Sequence, residues 1–228
     1  MGKNEGHGAG GETVRTFRVV DCEQRSEAWF AARLGRLTGS VAADMLSEVQ
    51  KGEAAKRRNL RLQLVLERLT GKPPSDGFVS SAMQQGIERE SAAAAAYEAL
   101  SGRIVTHTGF LQHVDLMAGV SLDGHVGDFE GICEIKCPEP SAHLAAIRTG
   151  RIPDSYEKQC LHALWISGAE WCDWLTFNPD FPDGLQVKLI RMNRNDSAIQ
   201  WYADKAIAFL AEVDKEEAEL KERAGAAA

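Results

Sequence analysis

No run of apolar residues in this chain approaches the roughly 20 that a bilayer-spanning helix needs, which excludes a helical membrane protein. Paired metal-binding cysteines are missing too. The five cysteines (Cys22, Cys133, Cys137, Cys160 and Cys172) are odd in number and contain no Cys-x2-Cys, which favours reduced thiols over a disulfide framework or a structural zinc site. Nor is there an excess of basic charge. With 26 Lys and Arg against 33 Asp and Glu, the formal charge is −7, which argues against a histone-like protein that coats nucleic acid by bulk charge but says nothing about local patches. Met1 to Gly11 is glycine-rich and polar without an apolar signal core, so the expected location is the cytoplasm.

What is present suits one ordinary domain: 228 residues, 44% hydrophobic and 26% charged. Residues 1–13 are expected to be a disordered leader, 14–211 a single domain, and 212–228 a charged, alanine-rich tail forming the frayed end of a last helix. Ser26 is placed to cap a short helix through Trp29 and Arg33 that stops at Gly35, and Thr38-Gly39-Ser40 to open a second helix with hydroxyls. Further helices are expected over about 53–69, 81–100, 141–148 and 155–167, with a last one from Ala198. Between 103 and 137 β-branched residues and repeated glycines predict a run of strands, and 171–177 and 186–191 predict two more. The order implies an α/β fold with a central mixed β-sheet and helices on both faces.

The chemistry concentrates between Gly119 and Pro138. In a strand over 132–137 the side-chain period of two puts Glu134 and Lys136 on one face and Cys133, Ile135 and Cys137 on the other. A hairpin brings Asp123 beside Glu134. Two carboxylates at a strand edge, with the Ile135 backbone carbonyl, make a hard-oxygen site suited to Mg²⁺ or Mn²⁺. Lys136 beside it can orient or deprotonate a water attacking phosphorus and offset developing negative charge. The bland alternative is a surface hairpin with a Glu–Lys pair worth little. Arg33 near the hydroxyls of Thr38 and Ser40 forms an anion site if those hydroxyls line a helix start, though simple capping explains them as well. The basic run Lys51, Lys56, Arg57, Arg58 and Arg61, with Glu53 as its single acid, is either a solvated helix face or a track for a phosphate backbone, the acidic tail facing away. His107 and His113 are expected at the surface, His125 in a turn, and the tryptophans mostly in the core.

Asp123 followed by Glu134-Ile-Lys136 resembles the core of the PD-(D/E)XK nuclease superfamily, with Leu122 where proline often stands. The match is closer to the phage lambda exonuclease and YqaJ-type viral recombinase family. Trp29-x3-Arg33-Leu-Gly-x-Leu-Thr38-x-Ser40 is similar to that family's opening motif. Gly86-x3-Glu90 with Tyr97-Glu98 and Ser101-Gly102 resembles its acidic helix, and Tyr156-x2-Gln159-x5-Trp165 its glutamine helix. The resemblance covers about 22–174. It implies a restriction-endonuclease-like core and a 5′→3′ exonuclease acting on double-stranded DNA ends, leaving 3′ overhangs for recombination by single-strand annealing. In its terms Asp123, Glu134 and the Ile135 carbonyl hold two Mg²⁺ ions, with Mn²⁺ able to substitute. Lys136 handles the water, Glu90 supports the second metal and Gln159 positions the cluster. Arg33, Thr38, Ser40 and Ser121 hold a 5′ phosphate. The family's further phosphate-pocket arginine falls near Ala142, with the adjacent His143 and the more distant Arg148 as the two candidates to replace it. A ring-shaped homotrimer, a phage-type single-strand annealing partner and a bacterial host cytoplasm are implied by the resemblance alone. Within the superfamily an endonuclease or junction resolvase is the rival reading; outside it, a catalytically silent DNA-end binding module.

Overall fold

The computed structural model describes residues 15–73 and 81–226, with side chains for all of these except 81–88; the expected leader at 1–13 and part of the loop at 71–77 lie outside the described residues. In chain order the elements are β1 (Phe17–Val20), α1 (Glu27–Arg33), β2 (Leu37–Thr38), a 3₁₀ turn (Gly39–Val41) and α2 (Ala42–Met45). Then come α3 (Ala55–Thr70), α4 (Ser81–Ser101), β3 (Phe110–His113), β4 (Ala118–Ser121), β5 (Gly124–Val126) and β6 (Gly131–Lys136). The chain ends with α5 (Pro140–Thr149), α6 (Asp154–Ser167), β7 (Trp171–Phe177), β8 (Val187–Asn193) and α7 (Asp196–Ala226).

The strands form two four-stranded mixed sheets, ordered β1-β3-β4-β2 and β5-β6-β7-β8. Only Leu122 and Asp123 separate β4 from β5, so Asp123 stands at the seam between the sheets while Leu122 is fully buried beneath it. β6 and β7 run parallel, joined by a crossover through α5 and α6 as a parallel pair requires. β5 pairs antiparallel with β6, Gly124 opposite Cys133, and β8 antiparallel with β7.

Both faces of the second sheet are covered. On one, Ala93, Ala94 and Tyr97 of α4 pack on Cys133, Ile135, Leu175 and Phe177. On the other, Cys160, Ala163, Leu164 and Ile166 of α6 pack with Ile132, Cys172, Trp174 and the α7 residues Tyr202, Phe209 and Leu210. The strand alternation is as expected: Cys133 and Ile135 enter the α4 cluster, and Glu134 turns to the α6 face. Asp173 on β7 is fully buried yet satisfied. It faces Arg191 across the β7–β8 ladder, takes two guanidinium bonds of 2.7 Å, and accepts the Tyr97 hydroxyl at 2.9 Å. That network fixes α4 against the sheet, and Glu90 lies two turns earlier on the same helix.

Four expectations need correction. Thr38 to Ser40 does not open an α-helix; it ends β2 and forms the 3₁₀ turn before a four-residue helix, and the Thr38 side chain makes no cap bond. No break falls at residue 212: α7 runs on to Ala226 with Val213 fully buried. The acids of that last segment do not face away from the basic run, because Arg57 pairs with Glu212, Arg61 with Glu216, and Arg68 with Asp214 and Glu217. Finally, His113 is buried, its Nδ1 accepting the amides of Asp115 and Leu116, whereas Trp201 is 46% exposed. All five cysteines are free thiols.

Candidate active site

Three elements meet at the seam. Glu134 and Lys136 project from β6 towards α6, and the Gly124–Cys133 register sets Asp123 alongside Glu134. The Asp123 carboxylate accepts the Ile135 amide at 2.6 Å. Glu134, 2% exposed, accepts from both the Lys136 ammonium and the Gln159 carboxamide, while the Lys136 ammonium lies 5.4 Å from the centre of the Tyr156 ring.

Burial sets the electrostatics. Desolvation raises the Asp123 pKa; Lys136 and the Ile135 amide oppose it and Glu90 adds to it, with Arg25 opposing more weakly. Glu134 is pushed up to about 7 by burial, against the pull of Lys136 and with repulsion from Asp123. Burial works to neutralise Lys136, but the Glu134 and Asp123 carboxylates outweigh it and hold the ammonium above its usual value. Two desolvated carboxylates with one ammonium between them form a site short of positive charge. Among the described residues no group of three or more His, Cys, Asp or Glu converges on one point. Two carboxylates and a backbone carbonyl suit Mg²⁺, which binds through one or two carboxylates and keeps waters and substrate phosphate oxygens for the rest. The donor set therefore fits the ion. The Glu90 carboxylate, whose charge Asp123 feels, is engaged by the Arg25 guanidinium at 2.7 Å.

Next to the carboxylates lies a pocket of donors. Ser26 caps α1 through the Trp29 amide at 3.2 Å, which aims Trp29 and Arg33 at the end of β4. The Arg33 guanidinium lies 4.2 Å from the centre of the Trp29 ring and donates to Ser121 Oγ at 2.8 Å; Trp29 Nε1 donates to the same oxygen at 2.8 Å. With two donors already on it, the Ser121 hydroxyl has its own hydrogen left to give. Arg33 also reaches Thr38 Oγ1 at 3.5 Å, and Thr38 lies 3.3 Å from Ser40 Oγ. Desolvation lowers the Arg33 pKa to about 10, partly countered by Glu67, so a cation remains that has lost water and makes no direct ion pair among the described residues. Gly39 joins pocket and cluster: a Cβ there would come within 3.4 Å of the Gln159 side chain.

The fold is similar to that of solved exonucleases. An alkaline exonuclease of Laribacter hongkongensis superposes with a TM-score of 0.81 and 38% identity, covering 89% of this chain and 100% of that one, and the same values hold for its complex with dAMP. A phage-related exonuclease of Haemophilus somnus 129PT shares the fold at a TM-score of 0.64 and 13% identity, over 81% and 96% of the two chains. No curated protein matches the chain. The YqaJ-like viral recombinase domain model matches residues 28–170. The chain belongs to this family. As a YqaJ-like recombinase domain with that structural neighbour, it is a nuclease of the lambda exonuclease type.

Of the expected site residues of this YqaJ-like protein, Asp123, Glu134, Lys136, Ile135 and Gln159 meet at the carboxylates, and Arg33, Thr38, Ser40 and Ser121 at the donor pocket. Arg148 is exposed in the last turn of α5 and makes no hydrogen bond to either group among the described residues, and His143 is buried between Thr176 Oγ1 and the Leu185 carbonyl. The sequence reading missed His162, which bridges the Gly119 carbonyl and the Tyr202 hydroxyl and is kept neutral by burial, its pKa lowered to about 4. It also missed Gln24, whose carboxamide holds the Leu122 carbonyl at 2.8 Å, and Arg25. A polar pair ahead of a helix cap carries no signal of its own.

Proposed function

We propose that the protein is a Mg²⁺-dependent 5′→3′ exonuclease on double-stranded DNA ends that leaves 3′ single-stranded overhangs. One observation carries this reading: Ser121 of the donor pocket and Asp123 of the carboxylate pair are two residues apart, a span of at most about 7 Å. A terminal phosphate held by Arg33, Ser121, Thr38 and Ser40 sits next to the phosphodiester presented to Asp123 and Glu134. An end is thus measured from its 5′ phosphate.

Asp123, Glu134 and the Ile135 carbonyl would hold a divalent ion, which would supply Lewis acidity and a water of lowered pKa at the scissile phosphate. The residues do the rest. Lys136, kept as an ammonium by its neighbours, orients the water and offsets charge developing on the phosphate oxygens. Gln159 holds Glu134 in place, and Tyr156 lies beside the Lys136 head. The family resemblance supports a ring-shaped homotrimer, a phage-type single-strand annealing partner for the exposed strand, and action in a bacterial host cytoplasm.

The endonuclease or resolvase reading is separated by substrate. Linear duplex with 5′ phosphates should be degraded and covalently closed circular duplex left intact. Cleavage of the circle, or indifference to the 5′ phosphate, contradicts the proposal. Duplex binding without degradation in Mg²⁺, unchanged by Lys136→Ala, would favour a silent end-binding module.

A further inference from the structure

Arg25 occupies a position its side chain does not explain. Its φ is +73°, a conformation that disfavours a residue with a Cβ, and it is one of two non-glycine residues with positive φ among the described residues. The turn that carries it is tied down on both sides. Gln24 holds the carbonyl of Leu122, the residue before Asp123, and Ser26 bonds back to the Glu23 carbonyl while capping α1. Arg25 is thereby fixed between the helix that supplies Trp29 and Arg33 and the strand end that supplies Asp123.

Its side chain is 47% exposed, and its ion pair with Glu90 at 2.7 Å is itself partly open to water. Such a pair adds little to stability and separates readily. A guanidinium matches phosphate in a planar fork better than it matches one carboxylate oxygen. The Gln24–Leu122 bond sets its turn beside the residue before Asp123, and its charge is felt by the Asp123 carboxyl, so a strand led from Ser121 to the carboxylates would pass the turn that carries it.

We propose that Arg25 is a further phosphate-binding residue, held by Glu90 until DNA arrives and then transferred to a backbone phosphate of the strand being cut, which releases the Glu90 carboxylate towards the Asp123 site. The inference rests on the nuclease reading above. It makes the Arg25–Glu90 pair a resting state, and it explains why an arginine stands where backbone geometry favours glycine.

The test is equilibrium binding of 5′-phosphorylated linear duplex in EDTA, across a range of salt, for wild type, Arg25→Gly, Glu90→Gln and the double variant. Arg25→Gly suits the backbone, so its Tm should be no lower than wild type. Its affinity should fall about 10-fold, and the slope of log K against log salt should become shallower by about 0.9, as for one lost phosphate contact. The double variant should keep the shallow slope. An unchanged slope in Arg25→Gly, or wild-type affinity and slope in the double variant, overturns the inference and leaves Arg25 as a mere counter-charge for Glu90. Failure of wild type to bind duplex both in EDTA and with Ca²⁺ in place of Mg²⁺ refutes instead the duplex-end reading on which it rests.

Discussion

The Arg33 guanidinium donates to the Ser121 hydroxyl at 2.8 Å although the two residues are 88 positions apart. That bond joins the first helix to the strand end that leads into Asp123, so the residue proposed to hold a terminal phosphate is tied to the element that positions the carboxylates. Replacing Arg33 by Ala should reduce kcat/KM on 5′-phosphorylated duplex by about 10- to 100-fold, the range for a charge-assisted hydrogen bond. On 5′-hydroxyl duplex the variant and wild type should be nearly equal. Steady-state rates on the two substrates check this, and an equal loss on both contradicts it.

Lys136→Ala should lower kcat by at least about 100-fold with little change in duplex affinity, because its ammonium acts on charge that develops during the reaction. A rise in KM at constant kcat would assign Lys136 to ground-state binding instead.

Metal binding should be linked to protons. The Glu134 carboxyl, raised to about 7 by burial, must lose its proton to ligate an ion. Affinity for Mg²⁺ or Mn²⁺ should therefore weaken about tenfold per pH unit below 7 and level off above it. Calorimetry in buffers of differing ionisation enthalpy should show proton release near pH 7 that disappears in Glu134→Gln.

Without metal, the same burial is a liability. A carboxyl whose folded pKa is raised favours the folded state below its unfolded value, and that benefit is lost as pH rises through the folded pKa. Asp123→Asn should consequently raise the Tm of the metal-free protein at pH 8 and not at pH 4, by about 2–4 °C for each kcal/mol relieved. Added Mg²⁺ should stabilise wild type and leave the variant almost unmoved.

Truncation after Ala211 should lower the Tm by at least about 5 °C, since it removes buried Val213 and strips Arg57, Arg61 and Arg68 of their partners on α7. A free tail would leave the Tm unchanged.

That helix marks the limit of what the sequence revealed. The alternation in β6 is local, and a period of two is enough to sort Glu134 and Lys136 from Cys133 and Ile135. The motif order likewise located Arg33, Ser121 and Gln159. The expectation that the acidic tail faces away fails because Arg57 and Arg61 find their partners 155 positions away on α7, beyond any local pattern. His113 was placed at the surface because nothing nearby shows that its ring accepts two turn amides. The two-sheet seam at Leu122 and Asp123 was equally hidden, as turn glycines on either side predict strands without saying which sheet each one joins.

The central claim is polarity from a phosphorylated end, and one measurement tests it most directly. Linear duplex carrying a 5′ label on one strand and a 3′ label on the other is incubated with Mg²⁺ or with EDTA, and release of each label is followed in time. The account predicts early release of the 5′ label, late release of the 3′ label, and neither in EDTA. Release of the 3′ label first, or equal release of both, contradicts it.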